Sequence, residues 1–230
     1  ARDTSREAVD ENFRRAAGVF GTTSDAFVCS DQTHTTNIRR VEKEDAGKGV
    51  TKEKDYRDVD GLITNVPGLI LGTFYADCVP LLIVDPVHHA IGCSHSGWRG
   101  TVGEMGKKTV EAMREAYGSR PEDIFAAIGP SICQDCYEVG KDVAEPFEKL
   151  FSQERYQDVS LKNILTKKVN GKYQLDLWRA NEAILLDAGI LKEHLSMTDI
   201  CTCCNPSYLF SHRASKGKRG NLAAFLMLKQ

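Results

Sequence analysis

The chain holds 230 residues, 41% of them hydrophobic, with 30 basic against 32 acidic side chains and a net charge of −2. That length suits one domain with its own core. The near-neutral balance supplies no global field to draw nucleic acid or an anionic membrane. No run approaches the length of a transmembrane span, and Ala1-Arg2-Asp3-Thr4-Ser5 lacks the apolar core of a secretion signal; a cytoplasmic protein is expected. Its eight cysteines then read as reduced: ligands, catalytic thiols or small buried hydrophobes rather than staples.

Taken in order, Ser5 caps a predicted helix with Ala8, Val9, Phe13 and Ala16 on one face, ending near Gly18 or Gly21. A short strand follows over 26–29, then a polar loop with Gln32-Thr33-His34. Residues 42–58 are charged and Gly-containing, a surface connection or exposed hairpin. From Gly61 to Ser94 the pattern is strand after strand, with turns at Pro67-Gly68 and Asp85-Pro86. Gly100-Thr101 opens a helix through Val102, Met105, Val110, Met113 and Tyr117, closed by Gly118. A strand over 124–128 runs into Gly129-Pro130-Ser131. Helices over 141–151 and 177–188 flank a polar stretch at 162–172, and 221–228 reads as a last buried strand. Without repeats or a low-complexity linker, residues 1–230 are expected to form one α+β domain.

Chemistry concentrates where Cys78 precedes the apolar run Leu81-Leu82-Ile83-Val84 and His95 follows Ala90-Ile91-Gly92. Adjacent strands align their ends, so thiolate and imidazole are expected at one sheet edge, as zinc ligands or as a nucleophile–base pair. Adding His34 makes three protein ligands and leaves a fourth position for water or substrate, the arrangement of a catalytic zinc. Spacing alone leaves open a buried cysteine and two unrelated histidines. Arg99, at a predicted helix start, suits phosphate or pairs with a surface carboxylate; Arg213 and the Lys216–Arg219 turn are further phosphate candidates. Asp77 and Glu138 stand near motif cysteines, to move protons, orient a ligand or accept backbone N–H bonds. His88-His89 reads as an exposed turn.

Four of these segments, Gln32-Thr33-His34, Asp60-Gly61-Leu62-Ile63-Thr64, Ala76-Asp77-Cys78-Val79-Pro80 and His95-Ser96-Gly97-Trp98-Arg99-Gly100-Thr101, resemble the motif series of the YfiH/laccase-domain family. Ile128-Gly129-Pro130-Ser131-Ile132, Cys136-Tyr137-Glu138-Val139-Gly140, the stretch from Leu175 to Asn181, Phe210-Ser211-His212-Arg213 and the stretch from Gly220 to Ala224 continue it. The resemblance spans nearly the whole chain. It implies a four-layer α/β/β/α sandwich with a mixed sheet, shared with a bacterial toxin deamidase, and a zinc on His34, Cys78 and His95. It also implies a purine nucleoside phosphorylase that takes inosine, adenosine and methylthioadenosine with phosphate to free base and ribose 1-phosphate, with adenosine deaminase activity beside it. The family's extra N-terminal strand and loop are expected to be absent, since the first predicted helix starts at Ser5.

Two further readings use the same side chains. With Cys78 as nucleophile and His95 as base, the site becomes a metal-free amidohydrolase acting on muramyl peptides or other amides. Copper in place of zinc allows weak polyphenol oxidation, but six histidines are too few for a multicopper cluster. A module whose metal is purely structural stands as the non-enzyme alternative. Cys133-x-x-Cys136 and Cys201-x-x-Cys204, with Cys203 between the latter, form paired C-x-x-C motifs. Their long separation and placement in strand-to-helix turns favour idle thiols over a structural zinc, and the resemblance implies no four-cysteine site.

Overall fold

The computed structural model describes residues 5–229. Helix α1 (Arg6–Val19) leads to strands β1 (Phe27–Cys29), β2 (Ile38–Arg40), β3 (Gly61–Thr64), β4 (Ile70–Tyr75), β5 (Val79–Asp85) and β6 (Ala90–Ser96). Helices α2 (Trp98–Val102) and α3 (Met105–Tyr117), strands β7 (Phe125–Ile128) and β8 (Glu138–Val139) and helix α4 (Lys141–Phe151) follow. The chain closes with α5 (Leu161–Ile164), β9 (Leu165–Lys167), β10 (Tyr173–Leu175), α6 (Leu177–Asp187), β11 (Leu195–Met197) and β12 (Leu222–Met227).

Hydrophobic patterning stacks these elements in four layers. The central sheet has the order β11-β7-β5-β6-β3-β2 and is mixed: β2/β3 and β7/β11 run parallel, while β3/β6, β6/β5 and β5/β7 run antiparallel. Leu81, Ile83 and Ile128 on one face pack with Val110 and Met113 of α3 and Ala180 and Ile184 of α6. The opposite face, through Leu62, Ile91 and Cys93, meets Val28 and Leu71 of the small sheet β1-β4-β12. That small sheet buries Phe27 and Ile70 under Phe13 and Ala17 of α1. The central sheet is covered on both faces, which is why its strands read as near-continuous apolar runs.

Two local signals hold as expected. The Ser5 hydroxyl accepts from Ala8 N at 3.3 Å and caps α1, and Gly118 ends α3 at φ +75°, a conformation that suits glycine. Elsewhere tertiary context decides. The helix expected from Gly100 begins at Trp98 and breaks before Met105, because Glu104 sits at φ +61° with its carboxylate held by Arg155 (2.9 Å) and Tyr156 (2.7 Å). The polar stretch 162–172 is a short helix and a β9/β10 hairpin, whose inward Leu165, Tyr173 and Leu175 are masked in sequence by intervening lysines. Residues 42–58 form a surface connection, not a hairpin. They fold around a buried Asp45 paired with Lys48 and Arg39 at 2.7 and 3.0 Å, with Val50 and Tyr56 also buried. Strand β12 is only partly buried, since it is the edge of its sheet. On α1, Ala8 is exposed and Ala17 takes the buried position.

Candidate functional site

The register of three strands assembles the site. In the β5/β6 pair Pro80 lies opposite His95, and in the β3/β6 pair Gly61 lies opposite Ser94. Cys78, just before β5, His95, near the end of β6, and Asp60, just before β3, therefore meet at one edge of the central sheet. His34 arrives on the loop after β1. One ligand atom from each of His34, Cys78 and His95 lies within 4.8 Å of the others, and the two rings stand edge to face at 5.0 Å.

Asp60 organises this convergence. Its buried carboxylate bonds His95 Nδ1 at 2.7 Å and accepts from the backbone N–H groups of Thr33, His34 and Thr35 at 3.0, 3.1 and 2.9 Å. One side chain thus orients the buried imidazole and fixes the loop that carries the other. The backbone is strained at both arriving residues: His34 has φ +66°, and Asp77, immediately before Cys78, has φ +85°. Each such conformation costs on the order of 1–3 kcal/mol and persists only where its surroundings over-determine it. Asp77 is held in that way, its oxygens accepting from Thr202 Oγ1 and Arg213 N, both at 2.7 Å.

Electrostatics follow from the contacts. Burial raises the Cys78 thiol, but hydrogen bonds from His34 and His95 outweigh it and bring the pKa to about 6. Burial opposes charge on His95 too, and its bonds to Asp60 and Cys78 still lift it to about 9. Asp60, despite desolvation, is held near 2 by His95 and the loop amides. Without an ion, the cluster at neutral pH is thiolate, imidazolium and carboxylate. By contrast, burial pushes Cys29 to about 12 and Cys93 to about 11, so these are inert core thiols.

Gly97 keeps the space between the ligands open. A Cβ there would lie 3.0 Å from Cys78 Sγ and 3.2 Å from the His34 ring. The turn that places Gly97 is secured from below, where buried Asn181 joins Ser96 and Thr101 at 2.9 and 3.0 Å and Thr101 Oγ1 donates to Gly97 O. This gives the 175–181 motif its structural role.

His34, Cys78 and His95 form the floor of a cleft of about 430 Å³, walled by Gln32, Lys54, Phe74, Tyr75, Arg219 and Asn221. Arg99 and Arg213 are not in that wall. Both have charges that act on Tyr137, a phenol that burial raises, as do those of Cys78 and Asp77. Arg99 stacks on Trp98 at 4.2 Å. The Arg213 guanidinium donates to Glu138 O at 3.0 Å and lies over the Tyr137 ring. Glu138 is tied to Lys168 and Lys172, and His88 to Asp85 at 2.8 Å. A larger cleft of about 570 Å³, between Arg155, Asp187 and Lys192, lies away from the cluster and is lined by internally paired charges.

Sequence reasoning assigned no role to Asp60, Tyr137 or Gly97. Asp60 left one usable trace, an acidic residue directly before an apolar strand that pairs with the strand of His95. The two C-x-x-C motifs, expected as idle thiols, meet: Cys133, Cys136, Cys201 and Cys204 gather within 4.8 Å, on loops rather than strand-to-helix turns.

Known proteins resemble this chain over most of its length. Purine nucleoside phosphorylase YlmD of Bacillus subtilis (strain 168) is 36% identical over 223 residues, covering 96% of this chain and 78% of that protein. Adenosine deaminase RL5, from an unknown prokaryotic organism, is 36% identical over 194 residues, covering 84% and 71%. The crystal structure of the hypothetical protein YfiH of Bacillus licheniformis superposes with a TM-score of 0.91 at 32% identity, covering 99% of this chain and 83% of that one. A family model described as multi-copper polyphenol oxidoreductase laccase matches residues 1–229, and the chain accordingly belongs to this laccase-like YfiH family.

Proposed function

We propose that this chain is a zinc-dependent purine nucleoside enzyme, a phosphorylase acting on inosine, adenosine and methylthioadenosine with adenosine deaminase activity at the same site. The observation that carries the proposal is a cleft whose floor holds two imidazoles and a thiolate, in a chain whose relatives are named for both reactions. The donor set suits zinc: His/Cys ligands, a carboxylate on the far nitrogen of the buried histidine, and a glycine that leaves room between sulfur and ring. His34, Cys78 and His95 would hold the ion, which supplies Lewis-acid polarisation of substrate or water.

The protein's own part is positioning. Asp60 keeps His95 Nδ1 occupied, so that Nε2 is the nitrogen presented to Cys78 and the ion. The cleft lined by Gln32, Phe74, Arg219 and Asn221 takes the purine. Arg99 and Arg213 bind phosphate from outside that lining, and Asp77, bonded to the Arg213 backbone, fixes Arg213 relative to Cys78. A phosphate oxygen bonds to the anomeric carbon and the carbon–nitrogen bond breaks. Its electron pair leaves with the purine, which takes up a proton. In deamination, water replaces the amino group of adenosine and ammonia departs. The test is zinc-loaded chain with inosine or adenosine in phosphate buffer, scored for free base and ammonia. Appearance of neither product removes the assignment.

A second reading rests on one observation, the Cys78–His95–Asp60 sequence of contacts, which is also that of a thiol hydrolase. Amide hydrolysis that survives a strong chelator would favour it. Among the described residues only two imidazoles enter a His/Cys ligand cluster, too few for a multicopper oxidase centre, and weak copper-dependent phenol oxidation would be confined to this same site.

A further inference from the structure

We propose that Cys133, Cys136, Cys201 and Cys204 form a second, structural metal site, a zinc tetrathiolate that pins two loops beside the active cleft. Tetrahedral zinc with Zn–S bonds of about 2.3 Å requires sulfurs about 3.8 Å apart. The four sulfurs lie within 4.8 Å of one another, with Cys136 and Cys204 at 3.4 Å. Each C-x-x-C contributes its pair from a single turn, and the two turns are registered by backbone contacts. Ser131 bridges Cys201 in parallel fashion, Ser131 N donates to Ile200 O, and Thr202 N donates to Ser131 O at 3.1 Å.

The surroundings of Cys201 suit a thiolate ligand. The Cys201 sulfur accepts from Cys133 N at 3.3 Å and Cys204 N at 3.4 Å, outer contacts that orient a ligand sulfur and offset its charge. Asn205 Nδ2 donates to Cys201 O at 2.8 Å and fixes the second turn. Arg213 reaches the Cys136 carbonyl, placing a cation beside a centre that would carry net negative charge. Burial does not explain the gathering. Cys204 is exposed and Cys133 and Cys136 are half-buried, whereas the core thiols Cys29 and Cys93 are buried without such partners. Cys203, in the same turn, stands outside the set.

The clamp would also serve the cleft. The second loop carries Thr202 and runs on to Arg213, the two residues that hold Asp77 next to Cys78. Closing the metal site fixes that loop against the turn after β7.

Metal analysis of the full chain tests this independently of the first site. In a Cys78→Ala background the protein should retain one zinc, which Cys204→Ser removes and Cys203→Ser does not. Because Cys204 is exposed, serine there leaves the core intact. As a measurement that does not depend on the Ser variants, cobalt added to metal-free Cys78→Ala protein should give intense sulfur-to-metal charge transfer and tetrahedral ligand-field bands. Zinc content unchanged by Cys204→Ser, absence of the charge-transfer band, or a disulfide among the four cysteines in freshly purified protein would each overturn the proposal.

Discussion

Two clusters of side chains able to ligate a metal lie close together in this protein and are built in opposite ways. His34, Cys78 and His95 depend on the register of the central sheet and on one buried carboxylate, and they open into a cleft. The four cysteines come from two turns outside any long element, joined by a few backbone bonds. A sheet edge can hold three ligands in place while leaving a corner free, because bonds to Asp60, Thr202 and Arg213 hold the strained His34 and Asp77. Loops with little core of their own gain rigidity from a closed site, where binding free energy is folding free energy. The first arrangement suits chemistry and the second suits cohesion.

The sharpest way to break this contrast is to delete one ligand from each. Cys78→Ala should cost more than about a thousandfold in kcat/KM, the equivalent of several kcal/mol of lost metal assistance, with little change in melting temperature. Cys136→Ser should do the reverse, lowering the melting temperature and reducing turnover far less than Cys78→Ala does. If both variants lose activity without losing stability, the division of labour is wrong.

A smaller effect is expected at Asp60. Asp60→Asn keeps the shape but weakens the hold on His95 and the His34 loop, and metal affinity and kcat/KM should fall about 10–100-fold. Zinc titration followed by fluorescence or calorimetry would show it, and unchanged affinity would separate Asp60 from the site. Smaller again, Gly97→Ala should weaken zinc binding by about tenfold or less, since Cys78 or His34 must give way by tenths of an ångström. Equal affinity in this variant would mean that the ligands do not close around that space.

The last prediction concerns pH and leaves turnover aside. In chelator-stripped protein, alkylation of Cys78 should rise with an apparent pKa near 6, and zinc should suppress it. The sign for stability follows. The depressed Cys78 value favours the folded state fully above the ordinary thiol pKa of 9.0, and the benefit disappears as pH falls through about 6. His95 runs the other way, contributing fully below 6.5 and losing it as pH rises through about 9. The two trends oppose each other between pH 6 and 9, so stability there should vary little, while thiol reactivity rises steeply below about pH 6 and levels off above about 7. A Cys78 pKa near 9 in the alkylation profile would show that the imidazoles do not contact the sulfur.

Much of this protein was legible in one dimension because local signals agreed with the fold. The Ser5 cap, the Gly118 stop and the apolar runs of β3 to β6 each name their own structure, and Cys78 and His95 could be paired because consecutive antiparallel strands align their ends. Long-range geometry was not legible. Nothing local says that Asp60 would hold both a ring on β6 and a loop after β1, that Glu104 would break a helix to reach Arg155, or that turns 68 residues apart would bring four sulfurs together. Sequence periodicity reports which face of an element is buried. What lies opposite that face depends on contacts whose partners are remote in the chain, and only the packed tertiary structure could decide it.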